Sequence, residues 1–178
     1  MARRLRPHST LGVALILAAT ALSGVAGQPP ELSLVDEPRG VLDHVPGKSP
    51  LIVMNLWATW CAPCIAEMDD LVALDRAFDD DDVSMIGISV DDWIPGDRKE
   101  TIEKVRLFLS EKNVEYPNLF YIGRPDALLD LYRVRNGIPV TIVLDREGYV
   151  LEVHEGAIDR RKMTALLNTL LKRTRSRE

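Results

Sequence analysis

The run LIVMNLW at residues 51–57 is almost continuously apolar and leads straight into WATWCAPC, residues 57–64. A short apolar run without alternation is the pattern of a strand covered on both faces, and such a strand needs a sheet with helices on either side. After the cysteines the pattern turns helical, with Ile65, Met68 and Leu71 or Val72 on one face, Asp75 expected as an exposed break, and then Phe78. VSMIGISV (83–90) reads as a second strand, and 99–112 as an amphipathic helix carrying Ile102, Val105 and Leu109. NLFYI (118–122) reads as an added strand and ALLDLYRV (127–134) as a short helix. PVTIVLD (139–145) and YVLEVHE (149–155) flank a glycine-containing turn, the signature of a β-hairpin. Asp159 can cap a last helix running to about Arg173, with Met163, Leu166, Leu167 and Leu170 on one face. This order predicts an α/β fold: a central sheet covered on both faces and closed by an antiparallel hairpin.

Residues 49–173 thus form one domain, followed by a short tail at 174–178. Residues 28–48 contain prolines and little apolar periodicity, so they are expected to be a linker or an irregular N-terminal arm. Before them Arg3, Arg4 and Arg6 precede the uncharged run LGVALILAATALSGVAG at 11–27. A basic head, an apolar stretch and a small-residue end are the layout of a secretory signal peptide. The competing reading is a retained membrane anchor, since the run approaches the roughly 20 residues that span a bilayer. Under either reading the domain is exported. Residues 28–178 carry 19 Lys and Arg against 27 Asp and Glu, a balance that disfavours nucleic acid or anionic membrane as a partner. Asp79–Asp82 lie between a helix and a strand and read as a solvated turn, lacking the spaced oxygens and glycine of a calcium loop.

Cys61 and Cys64 are the only cysteines in the 178 residues. Covalent haem attachment needs a histidine directly after the second cysteine, where Ile65 stands. A structural zinc site would have to recruit His44 and His154 from distant segments, His8 lying in the leading segment, and an iron–sulfur cluster needs four thiolates. A structural bridge closing so short a loop removes little chain entropy. The local context favours exchange chemistry. Cys61 falls where a strand ends and a helix begins, so unpaired N–H groups and the helix dipole stabilise its thiolate. Pro63 suits a first helical turn, and Cys64 comes to the same face as Cys61. That places an exposed attacking sulfur beside a buried resolving one.

The strand–WATWCAPC–helix arrangement, the AEM that follows it, GIPVT (137–141) and the DREG turn resemble the thioredoxin superfamily, and most closely its exported TlpA/ResA-like branch. The resemblance implies a thioredoxin fold, with a central mixed sheet flanked by helices and a β–α insertion before the cis-proline strand. It implies Cys61 as nucleophile and Cys64 as resolving cysteine. Pro139 matches the cis-proline that faces the dithiol and presents the Ile138 backbone to an extended substrate; an ordinary strand-start proline is the alternative. Val140 replaces the threonine common there. Trp60 matches the aromatic beside the active sulfur, or is simply packed. Thioredoxin itself carries a buried aspartate where Asn55 stands, and Asn55 cannot titrate. In the TlpA/ResA-like branch the proton role is assigned to a glutamate matching Glu67, whose spacing from Cys64 independently puts both on one helix face. A solvated helix glutamate is the alternative.

The implied activity is an exported thiol–disulfide oxidoreductase, a reductant in the bacterial periplasm or on the outer face of the cytoplasmic membrane. Its cofactor list is empty beyond the redox-active Cys61–Cys64 disulfide, with no metal. Its partners are protein disulfides, such as apocytochrome cysteines or those of respiratory copper-site factors, and a membrane-embedded thiol reductase as electron donor. The protein is expected to be a monomer. Two other readings stand beside it: a thiol oxidase, and a Cu(I)-binding metallochaperone that would use His154. Trp93 and the WIPG turn either border the substrate surface or close a loop.

Overall fold

The strand β2, Leu51–Trp57, is buried along its whole length at the centre of the sheet. The computed structural model describes residues 32–45 and 49–176, so the leading segment 1–27 and the end of the tail lie outside the described residues. In chain order the remaining elements are β1 (Leu32–Val35), α1 (Ala62–Asp75), β3 (Val83–Ser89), α2 (Arg98–Glu111), β4 (Asn118–Tyr121), α3 (Pro125–Leu131), β5 (Val140–Asp145), β6 (Val150–Glu155) and α4 (Arg160–Arg175). Short 3-10 turns occupy Pro38–His44 and Asp91–Trp93. The six strands lie in the order β1-β4-β3-β2-β5-β6. The first four run parallel, β5 pairs antiparallel with β2, and β6 pairs antiparallel with β5. This is the mixed sheet flanked by helices that the thioredoxin resemblance implies, with β4 and α3 preceding β5.

The N-terminal arm differs from the irregular segment expected at 28–48. LSLV at 32–35 is a strand paired with β4, and Leu32 and Val35 are buried. Four residues among prolines carry almost no periodic signal, so a partner 86 positions away (Leu32 with Asn118) forms the strand rather than local propensity. At the other end α4 continues past Arg173 to Arg175, whose guanidinium pairs with Asp82.

The helix α2 lies against the same region as α1. Phe108 of α2 stacks on Trp57 with ring centroids 5.3 Å apart, and the Trp57 indole N–H donates to Asn118 Oδ1 at 3.0 Å. Asn118 fits because Gly87 lies opposite it in β3: a Cβ at Gly87 would overlap the Asn118 side chain. Lys112 pairs with Asp69 at 2.9 Å, and Tyr116 donates to the Met68 sulfur at 3.4 Å, tying the segment after α2 to α1. At the β5–β6 turn, Asp145 Oδ1 accepts from the N–H groups of Glu147 and Tyr149, and Gly148 takes a φ of 85° that suits glycine.

Asp75 is the second departure. It is the last residue of α1 and is half-buried rather than exposed, and Phe78 falls beyond the helix. Burial first, then Asp80 and Glu115, push its carboxyl up to about 6, against the opposing charge of Arg76. The folded chain therefore holds this proton more tightly than the unfolded one. The associated stability is complete below the unfolded value of 3.8 and lost as pH rises through about 6. Asp75→Asn is expected to stabilise the protein at neutral pH by about 1 kcal/mol, after allowing for its partial exposure. Urea unfolding at acid and at neutral pH checks this, the gain appearing only at neutral pH.

Candidate active site

The end of β2 turns sharply into α1, and each residue of that turn is held by a nearby group. Cys61 is the N-cap of α1, with extended backbone, and its sulfur accepts from the Cys64 N–H at 3.3 Å. Its own N–H donates to the Ala58 carbonyl at 3.1 Å. Pro63 sits in the first helical turn, where its missing N–H leaves no partner unsatisfied. Cys61 and Cys64 are joined as a disulfide. Cys64 is fully buried and Cys61 is only 6% exposed, so in the oxidised form the attacking sulfur is covered rather than exposed as expected. Trp60, one residue earlier, is 42% exposed and stands at the surface beside it.

Asp91, just past β3, fastens this turn from below. Both carboxylate oxygens accept from the Thr59 N–H at 3.1 Å, Oδ1 also accepts from the Thr59 hydroxyl, and Oδ2 accepts from Ser89 at 2.9 Å. Asp91 is 2% exposed, and sequence reasoning passed over it because an acidic pair in a loop reads as solvated. Trp93 closes this loop and packs on the core, while Ile94 of the WIPG stretch is exposed.

On the opposite side, β5 runs antiparallel to β2 with Val140 against Leu56 and Thr141 against Asn55. That register brings Pro139 to the end of β2 where the cysteine turn begins. The Ile138–Pro139 peptide bond is cis, Ile138 is half-buried, and the Pro139 carbonyl accepts from the Gly156 N–H at 2.9 Å. Glu155 supports the approach to this bond. Its carboxylate accepts from the N–H groups of Arg135 at 2.7 Å and Asn136 at 3.1 Å, and from the Asn136 side chain. Nothing in the local sequence around Glu155 points to that role.

Glu67 is buried on α1, 3% exposed, and is not a solvated helix residue. Its Oε2 accepts from the Ile158 N–H at 2.8 Å and its Oε1 from Asn55 Nδ2 at 3.1 Å. Burial pushes the Glu67 carboxyl above the usual carboxylate range. The Ile158 N–H, the Asn55 amide and the His154 charge draw it back, while Asp70 adds to the rise. The site thus sets a buried carboxyl of raised proton affinity three residues from the buried cysteine. His154, weighed as a metal ligand, lies opposite Thr141 in β6 with its Nε2 3.2 Å from the Ala157 carbonyl. Among the described residues no group of three or more His, Cys, Asp and Glu side chains is placed to hold a metal.

Known proteins resemble this chain in sequence and fold. The Redoxin family model matches residues 30–171. The thioredoxin-like protein YneN of Bacillus subtilis is 27% identical over 143 residues, 79% of this chain and 77% of that protein. The thiol-disulfide oxidoreductase ResA of Oceanobacillus iheyensis is 26% identical, over 76% of this chain and 64% of its own length. The thiol:disulfide interchange protein HelX of Rhodobacter capsulatus is 30% identical, over 67% of this chain and 60% of its own length. The chain thus spans somewhat less than two thirds of ResA and HelX. A thioredoxin-related protein from Neisseria meningitidis superposes with a TM-score of 0.58 at 27% identity, covering 70% of this chain and 87% of that one. A thiol-disulfide isomerase from Corynebacterium glutamicum, at 19% identity, shares the fold with a TM-score of 0.60 over 81% of this chain and 96% of its own. Matched over most of its length and carrying its cysteine pair at the strand-to-helix turn, the chain belongs to the Redoxin family and is similar to its thioredoxin-like and ResA-type members.

Proposed function

We propose that the protein is an exported reductant of protein disulfides, and that Glu67 takes the proton from Cys64 during exchange. The observation that carries this reading is the buried Glu67 carboxyl on the same helix face as Cys64, with its proton affinity raised by burial. In the reduced protein the Cys61 thiolate, stabilised by the first turn of α1, attacks a substrate disulfide. One substrate sulfur leaves as a thiolate and a Cys61–substrate mixed disulfide forms. Cys64 passes its proton to the Glu67 carboxylate, and the resulting thiolate attacks the Cys61 sulfur. The Cys61–Cys64 bond forms, the second substrate sulfur departs, and two electrons have moved from the pair to the substrate. The cis bond at Pro139, with Ile138 before it and Trp60 across the turn, borders the surface on which an extended substrate segment would lie.

The reducing direction is supported by Ala62-Pro63 between the cysteines, which supply no histidine charge to stabilise the thiolate of a strong oxidant. A membrane-embedded thiol reductase is proposed to return the electrons. Cytochrome c cysteines and the cysteines of respiratory copper-site factors are the proposed substrate classes, in keeping with relatives named as disulfide oxidoreductases and interchange proteins. Export rests on the basic and apolar segment at residues 1–27. No helix among the described residues is long and apolar enough to cross a membrane.

Trapping with Cys64→Ser should freeze a mixed disulfide through Cys61 and identify the substrate by mass; adducts that form equally in a variant lacking Cys61 would rule this route out. Glu67→Gln should slow the resolving step by roughly 100-fold, in the range of a general base. It should also abolish the rise in exchange rate as pH climbs through the raised Glu67 titration. Stopped-flow exchange across pH checks this, and an unaltered profile would remove Glu67 from the mechanism.

A further inference from the structure

The strand position that cannot titrate still acts on the proton. We infer that Asn55 is a positioning residue for Glu67, its amide holding Oε1 as the ionised acceptor so that the carboxyl is free to take the Cys64 proton. The inference rests on the role proposed above for Glu67. Asn55 is fully buried in β2. Its Nδ2 faces three acceptors: Glu67 Oε1 at 3.1 Å, Thr141 Oγ1 at 3.2 Å and the Val140 carbonyl at 3.4 Å. Its Oδ1 is buried with no hydrogen-bond partner among the described residues.

Turning the amide over would set Oδ1 against Glu67 Oε1 and the Val140 carbonyl, oxygen facing oxygen. The observed orientation is therefore the one that suits a Glu67 carboxylate, even though it leaves a buried acceptor unmet. Each carboxylate oxygen accepts one donor, Oε2 from the Ile158 N–H and Oε1 from Asn55, and each keeps a second lone pair on which a proton can settle. The other groups acting on this carboxyl or facing it are His154 from β6, Asp70 from α1 itself and Tyr116 from the segment between α2 and β4. Among the described residues Asn55 alone donates a side-chain hydrogen bond to it, and Asn55 also reaches the Val140 carbonyl, one residue past the cis-proline.

The test follows the Glu67 carboxyl by NMR in oxidised full-length protein with labelled glutamate, together with the pH profile of thiol exchange. Asn55→Leu, which removes the donor at similar volume, should shift the Glu67 midpoint upward and carry the acid limb of the exchange profile with it. Asn55→Asp, nearly isosteric, should move both further and serves alone if the leucine variant does not fold. A Glu67 midpoint unchanged in a folded variant would overturn the inference. So would a rate lowered equally at every pH, which is what a merely structural asparagine gives. A midpoint that moves while the exchange profile stays put would support the positioning role and instead overturn the proton role proposed for Glu67.

Discussion

A carboxyl group buried between a helix and a sheet must be compensated, and the architecture around the cysteines is arranged about that requirement. Glu67 projects from α1 into a region where burial favours its neutral form. Two donors hold it, one from the middle of β2 and one from the turn that leads into α4. Those donors come from segments 12 and 91 residues away, so the carboxyl is framed only once the sheet and the C-terminal helix have assembled. Its proton affinity is then set by neighbours rather than by solvent. That is the condition a group needs to exchange protons with a buried thiol near neutral pH.

The rest of the site is built from clamps of the same kind. Asp91 fixes the Thr59 end of the cysteine turn, and Glu155 fixes the segment leading to the cis-proline. Neither side chain touches a sulfur in these contacts. Each carboxylate satisfies backbone N–H groups that a sharp turn would otherwise leave open, which keeps the reacting geometry rigid without placing more ionisable groups on the disulfide. The Gly156–Pro139 hydrogen bond and the Ile158–Glu67 hydrogen bond come from one short turn. The proposed substrate side and the proposed proton side of the site therefore share a support.

Much of this was legible in the sequence where the signal is local. The apolar run 51–57 announced a central strand, the cysteine spacing announced the helix start, and the i and i+3 spacing put Glu67 with Cys64. What was hidden depends on pairing across the chain. The strand at 32–35 exists because β4 offers it an edge, and four residues among prolines cannot announce that. Asp91 and Glu155 read as solvated charges, and only the fold turns the Asp91 carboxylate inward and sets that of Glu155 on the Arg135–Asn136 backbone. Asp75 illustrates the converse, since helical periodicity placed it on an exposed face that Asp80 and Glu115 in fact crowd. Asn55 was visible as a residue that cannot titrate, but its contact with Glu67 depends on how β2 and α1 pack.

The central claim is that Glu67 and the cysteine pair share their protons. The reduction potential of Cys61–Cys64, measured across pH in the wild-type protein and in Glu67→Gln, tests it most directly. A carboxyl whose proton affinity changes when the adjacent thiols form must bend the potential–pH line at its own titrations. The account predicts such bends in the wild-type protein and their loss in the glutamine variant. Two lines of the same shape would contradict it.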